Sequence, residues 1–259
     1  MNPPAAATFT DLPIVLLPGL GCDARLYAPH RRCLPVVVPP WLPPTSPRES
    51  LTSYAARMAA ALPVRGRFIL GGSSFGGMLA WEMAQHCRPE ALALIGGATT
   101  PHELRWWLHQ QARMARYLPL GAVRLIQPWV GPLTRVTGLT DGGGQPLIAA
   151  MVGTCAPGFL RWCAAAVGSW RPSPARPVPC LRLHGEADVA IPPPPPGPGI
   201  TRVPRAGHML DGSHAAVVIA WLRRIRAGMI RARTAAGDGR DAAHTAATTG
   251  LRSTRRRPN

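Results

Sequence analysis

Short, continuous apolar runs alternate along the first hundred residues with longer stretches whose apolar positions recur every three or four. Residues 14–17 (IVLL), 36–38 (VVV), 68–70 (FIL) and 91–95 (ALALI) are such runs, each stopped by glycine or proline. Runs of this length and with these stops predict strands buried on both faces. Between them Leu51, Tyr54, Ala55, Met58 and Leu62 keep helical spacing, as do Met78, Leu79, Trp81 and Met83. Ser46, Pro47 and Glu49 supply an N-cap, a first-turn proline and a capping-box acid ahead of the first of these helices. Strand and helix in alternation predict an α/β fold, a mostly parallel, doubly wound sheet with helices on both faces.

At residue 98 the rhythm changes, and strand patterns are missing up to residue 177. Thr100, Pro101 and Glu103 repeat the capping pattern and predict a helix carrying Leu104, Trp107, Leu108, Gln111, Ala115 and Leu118 on one side. Further helical pieces are expected over 122–126, 146–152 and 158–167, with Gly142, Gly143 and Gly144 as a joint. The segment 98–177 reads as a helical cap inserted into a sheet domain made of 1–97 and 178–229. Five of the eight tryptophans lie in it. They either pack cap against core or line an apolar pocket, and Trp106, Trp107 and Trp129 are the candidates for pocket lining.

The sheet resumes at 180–183. The proline run that follows residue 191 forbids a helix, so the crossover to the next strand at 200–203 is expected to run as extended polyproline. Asp211 or Ser213 then caps a last helix bearing Val217, Val218, Trp221, Leu222 and Ile225. Periodicity is lost near Met229, and 230–259 reads as a disordered, Arg-rich tail.

Composition changes this picture little. A chain of 259 residues with 46% hydrophobic residues can bury a sizeable core. Ten of the 29 basic residues lie after residue 221, and every one of the 29 is arginine. About half of the +17 charge thus lies after residue 221, a pattern that base composition produces as readily as selection for phosphate contacts, and nucleic acid is not the expected partner, though the Arg-rich tail leaves it open. Six cysteines without a paired spacing read as reduced thiols. The opening residues signal no secretion and no window signals a membrane span, so a cytoplasmic protein without a membrane partner is expected. Neither a metal nor a cofactor is implied, since no His and carboxylate cluster has ligand spacing.

The candidate chemistry centres on Gly72, Ser74 and Gly76, a G-x-S-x-G between a predicted strand and a predicted helix. This is the pattern that lifts a serine hydroxyl above a sheet on a strained turn. Ser73 fails the same test, because Phe75 occupies its second glycine position. Asp188 follows a later strand and His208 follows the last, so the order along the chain is Ser, Asp, His. A serine hydroxyl needs a base to take its proton; His208 can serve, with Asp188 fixing its tautomer. The backbone N–H groups of Leu20 and Phe75 are the candidate oxyanion donors. Glu186 and Asp211 are the substitute acids, and His184, His86 and His214 read as structural. Cys22 lies beside the oxyanion loop and reads as a buried thiol.

With these residues in view, LPGLG at 17–21, GSSFGG at 72–77, HGEAD at 184–188 and AGH at 206–208 resemble four motifs of the α/β-hydrolase superfamily of cap-bearing serine hydrolases. The resemblance spans roughly residues 14–225. It implies hydrolysis of a small or medium acyl ester or thioester through an acyl-enzyme on Ser74. Acyl transfer to another acceptor, or a silent ligand-binding relative of the fold, are the alternatives. The chain departs from the pattern in three places: Pro18 stands where the family's oxyanion loop carries histidine, the N-terminal antiparallel hairpin is reduced, and prolines replace the helix between the last two strands.

Overall fold

The computed structural model describes residues 12–130, 144–175 and 177–253. Six strands, β1 (Ile14–Leu17), β2 (Val36–Val37), β3 (Ile69–Ser73), β4 (Ala91–Ile95), β5 (Cys180–Gly185) and β6 (Ile200–Val203), form one sheet in the order β2-β1-β3-β4-β5-β6. Every neighbouring pair is parallel. Alternate residues of a strand face opposite cores: Val15 and Leu17 join one apolar cluster, Ile14 and Leu16 the other. Strands buried on both faces read as continuous apolar runs, which is why their sequence lacks polar alternation.

Helices α1 (Ala28–Arg31), α2 (Leu51–Ala60) and α3 (Phe75–Met83) lie between the first four strands. Helix α2 starts four residues later than its sequence pattern implies. Ser50 is its N-cap, accepting from Ser53 N at 3.1 Å, while Glu49 turns to Thr45 N and the Arg57 guanidinium. The residues between β4 and β5 contain α4 (Trp106–Met114), α5 (Leu120–Ile126), α6 (Gln145–Thr154) and α7 (Pro157–Gly168). A single helix from residue 101 does not form. Pro101–Glu103 is one 3-10 turn, and Glu103 binds Thr99 and Arg182 rather than capping α4. Arg105 N donates to Ala190 O, which starts α4 afresh. The joint expected at Gly142 and Gly143 lies outside the described residues.

The inserted helices are anchored through tryptophan. Trp162 on α7 stacks among Tyr54, Phe75 and Phe159 and donates to Glu49 O at 3.0 Å. Trp170 donates to the buried Glu82 carboxylate at 2.9 Å, which also accepts from Ser173. From β5 to β6 the chain crosses without a helix, as the proline run requires, and the two strands still pair in parallel.

After α8 (Leu210–Ser213) the last helix, α9, runs Ala215–Ser253. It continues through residues that the sequence reading assigned to a disordered tail. Alanine and arginine, frequent in this stretch, are strong helix formers. Residues 254–259 and the N-terminal 1–11, which bear on the tail's end and on the reduced hairpin, lie outside the described residues. Among the described residues no single helix is long and apolar enough to cross a membrane.

Candidate active site

The turn from β3 into α3 places Ser74 in a backbone conformation that side chains rarely adopt, φ 51° and ψ −115°. Strain of this kind persists only where neighbours over-determine it. Ser74 N is held by Ile95 O at 2.9 Å. On either side a glycine is obligatory: a Cβ at Gly72 would sit 2.5 Å from Leu17 O, and one at Gly76 2.0 Å from the same oxygen. The bend is therefore so tight that β1 and the start of α3 touch backbone to backbone.

Three sequence-selected side chains meet above this turn. Ser74 Oγ lies 2.9 Å from His208 Nε2, and His208 Nδ1 lies 2.8 Å from Asp188 Oδ2. The second oxygen of Asp188, Oδ1, accepts from Ala190 N at 2.8 Å and Ile191 N at 2.9 Å, which fixes the carboxylate. Burial opposes charge on Asp188, but the imidazole and these amides outweigh it and hold its pKa below the usual carboxylate value. Burial likewise opposes charge on His208. The Asp188 carboxylate reverses this and leaves the imidazole above its ordinary value.

Leu20 and Phe75 line the space beside Ser74. Phe75 opens α3, where the first N–H groups have no intrahelical acceptor. Among the described residues neither amide donates a hydrogen bond. The loop carrying Leu20 packs on the elbow, since a Cβ at Gly19 would lie 3.7 Å from Ser73 O.

Ser74 and His208 open into a cavity of about 320 Å³, walled by Leu104 ahead of α4, Leu108 and Ala112 of α4, Ile148 and Val152 of α6, and Ala164 and Val167 of α7. Beyond Ser74, His208 and Cys22, Gln111 is the polar side chain among the described lining residues. Cys22 is buried and its thiol is pushed up to about 12, so it stays protonated. Trp106, Trp107 and Trp129 do not line this cavity, contrary to the sequence expectation. The inner face of α4 is taken by Leu108, Gln111 and Ala112, and the Trp106 and Trp129 side chains face solvent.

Of the substitute acids, Glu186 is exposed, and Asp211 is buried and engaged elsewhere. Its Oδ2 accepts a hydrogen bond from Ser73 Oγ, and its Oδ1 lies 3.0 Å from His30 Nε2. Tyr27 OH lies 3.1 Å from Ser73 Oγ and 3.0 Å from Leu17 O. Burial pushes the Tyr27 phenol well above its ordinary value, so it remains a donor. The sequence reading missed this network. Its one signal was a polar Ser73 inside an apolar strand, a group that must find a partner when buried. His184 is buried with neither ring nitrogen hydrogen-bonded among the described residues, and burial lowers its pKa to about 4. No three His, Cys, Asp or Glu side chains among the described residues converge as metal ligands.

No family model and no curated protein sequence matches the chain. Solved structures do. A thermophilic esterase from Thermogutta terrifontis superposes with a TM-score of 0.67 at 22% identity, covering 86% of this chain and 92% of the other. A hydrolase from Oleispira antarctica gives 0.61 at 16%, covering 84% and 92%. The enol-lactonase from Burkholderia xenovorans LB400 gives 0.60 at 19%, covering 85% and 93%. Likeness at these identities speaks to architecture, and with the parallel sheet and the sharp turn at Ser74 it leads to one statement: the chain has the α/β-hydrolase fold.

Proposed function

We propose that the chain is a serine hydrolase that cleaves a small or medium, uncharged acyl ester or thioester through an acyl-enzyme on Ser74. The observation that carries this reading is the continuous chain of contacts from Ser74 Oγ through His208 to Asp188, at 2.9 Å and 2.8 Å, at the end of an apolar cavity. Ser74 Oγ attacks the acyl carbon while His208 Nε2 takes its proton, and the carbonyl oxygen becomes an anion within reach of the Leu20 and Phe75 amides. The C–O or C–S bond then breaks as His208 returns the proton to the leaving group. Water, deprotonated by the same imidazole, attacks the acyl-enzyme and releases the acid. Asp188 orients His208 and stabilises its cationic form throughout.

The lining supports an uncharged acyl group, because it offers no fixed charge to pair with one. The cavity lies at the small end of the range for organic ligands, about 300–1,000 Å³. At the roughly 30 Å³ that a water-sized group occupies, it accommodates on the order of ten such groups. The names of the structural neighbours, esterase and enol-lactonase, agree with this class. Six free thiols suit a reducing compartment, which supports a cytoplasmic location.

The test is turnover of p-nitrophenyl esters by the wild type and by Ser74→Ala. Loss of about 10⁴-fold in kcat, with an unchanged melting temperature, is expected. Undiminished turnover in the variant, or failure of a fluorophosphonate to label Ser74, overturns the reading.

A further inference from the structure

Eight of the eleven large hydrophobic side chains exposed among the described residues fall between residues 106 and 129. Trp106 is 76% exposed, Leu125 74% and Trp129 66%. Their exposure does not come from a poorly anchored segment. Gln127 is buried in the same turn as Ile126 and Trp129, and its amide donates to Val152 O at 3.0 Å and Cys155 O at 2.8 Å. Here the chain turns a polar side chain inward and keeps its largest apolar ones outside, the reverse of a helix that faces water. On α4 the inward residue next to the core is Ala112, and Trp106 and Met114 point out.

The charge on this stretch has one sign. From residue 104 to residue 130 there is no Asp or Glu, while Arg105, Arg113, Arg116 and Arg124 are all exposed. None of the four forms an ion pair among the described residues. Arg116 lies over the ring of the exposed Tyr117 at 4.8 Å. Helices α4 and α5 both pack on α7, so the exposed apolar side chains and the arginines they carry belong to one inserted unit. The same α4 supplies Leu108 and Ala112 to the wall of the Ser74 cavity. Exposed tryptophan and aliphatic side chains interspersed with arginine, without acids, match the chemistry of a bilayer interface: apolar groups for the acyl boundary and cations for anionic headgroups.

We propose that this face docks on an anionic phospholipid surface, so that an acyl substrate held in that surface reaches the cavity behind α4. Binding of this peripheral kind needs no spanning helix, and it extends the hydrolase reading by naming where the substrate resides. The occupant is a lipid surface rather than a second copy of the chain because charge decides: a copy would bring the same four arginines against this face, whereas anionic headgroups complement them.

The test uses full-length protein carrying Ser74→Ala, so that binding is read without turnover, and co-sedimentation with vesicles of equimolar phosphatidylglycerol and phosphatidylcholine. Partitioning that weakens with salt, and at least tenfold weaker binding to pure phosphatidylcholine, is expected. The triple variant Trp106→Ser, Leu125→Ser, Trp129→Ser should lose at least tenfold in partitioning, while in the Ser74 background the same triple keeps its turnover of soluble p-nitrophenyl butyrate. If that triple does not fold, as judged by circular dichroism, Arg113→Glu with Arg116→Glu and Arg124→Glu replaces it and should abolish the preference for phosphatidylglycerol. No sedimentation with phosphatidylglycerol vesicles at low salt overturns the proposal, as does a stable dimer that shields Trp106 and Trp129 from a collisional quencher. Because binding is measured on the Ser74→Ala protein, neither outcome depends on whether the chain hydrolyses esters.

Discussion

The Asp211 carboxylate accepts a hydrogen bond from Ser73 Oγ, which joins the residue beside the proposed nucleophile to a residue three positions after the proposed base. Tyr27, bonded between Ser73 Oγ and Leu17 O, adds the strand end that leads into the Leu20 loop. One buried network thus ties the elbow, the His208 loop and the oxyanion loop together. Asp211→Ala removes the acceptor of the Ser73 hydroxyl and the carboxylate beside the buried His30 ring. A loss of about 2–4 kcal/mol in stability is expected, with kcat falling more than KM rises because the substrate itself is not touched. Asp211→Asn, which keeps an acceptor for Ser73, should recover most of kcat. Urea denaturation alongside steady-state kinetics measures both, and an alanine variant with wild-type kcat contradicts a positioning role.

Much of this site was legible because its signals are local. The elbow glycines and the strand ends can each be read within a few residues, the order of Ser74, Asp188 and His208 follows from placing each after a strand, and parallel strands buried on both faces announce themselves as apolar runs. The Ser73–Asp211 contact spans 138 positions, and no local pattern encodes it. Asp211 looked like a helix cap because capping residues and buried acids are the same residue types. The tryptophans misled for another reason. Helical spacing shows which side chains share a face, but it does not show which face the rest of the fold covers, and at Gln127 the polar residue is the covered one.

Asp188 makes the pH dependence predictable. With the carboxylate holding the imidazole pKa above its ordinary value, His208 must lose its proton before it can act as base. The kcat/KM for a neutral ester should therefore rise through an apparent pKa above about 6.5 and then level. In Asp188→Asn the opposing effect of burial prevails and the acid limb should move to lower pH, together with a fall of about 10⁴-fold in kcat at neutral pH. A pH–rate profile of the two proteins decides it. An acid limb that stays in place in the variant would assign the titration to another group.

His184 predicts a loss of stability in acid. Its folded pKa, about 4, lies below its unfolded value near 6.5. Between these values the unfolded chain binds more protons, so the stabilising contribution is complete above about 6.5 and is lost as pH falls towards about 4. The full effect is on the order of 3 kcal/mol. His208 acts in the opposite sense over a higher window, because its raised pKa favours the folded state below its unfolded value and that contribution is lost as pH rises through the folded one. Replacing His184 with Phe should flatten the acid decline of the melting temperature and leave the activity profile in place. Melting curves at successive pH values provide the check.

On the proposed hydrolase reading, cavity size should set the preference for acyl length. Each methylene moved from water into the apolar wall contributes about 0.8 kcal/mol, which is roughly a fourfold gain in kcat/KM per added carbon when realised in the transition state. For the wild type that rise should continue until the cavity of about 320 Å³ is filled, and then stop. Ala164, on the α7 wall, is a position from which a larger side chain would shorten the space without touching Ser74 or His208. In Ala164→Phe the plateau should begin several carbons earlier, with acetate and butyrate esters turned over as before and decanoate reduced at least tenfold. A series of p-nitrophenyl esters from acetate to decanoate reads both slopes. If the two proteins show the same length dependence, the acyl chain lies elsewhere and the cavity behind α4 is not its site.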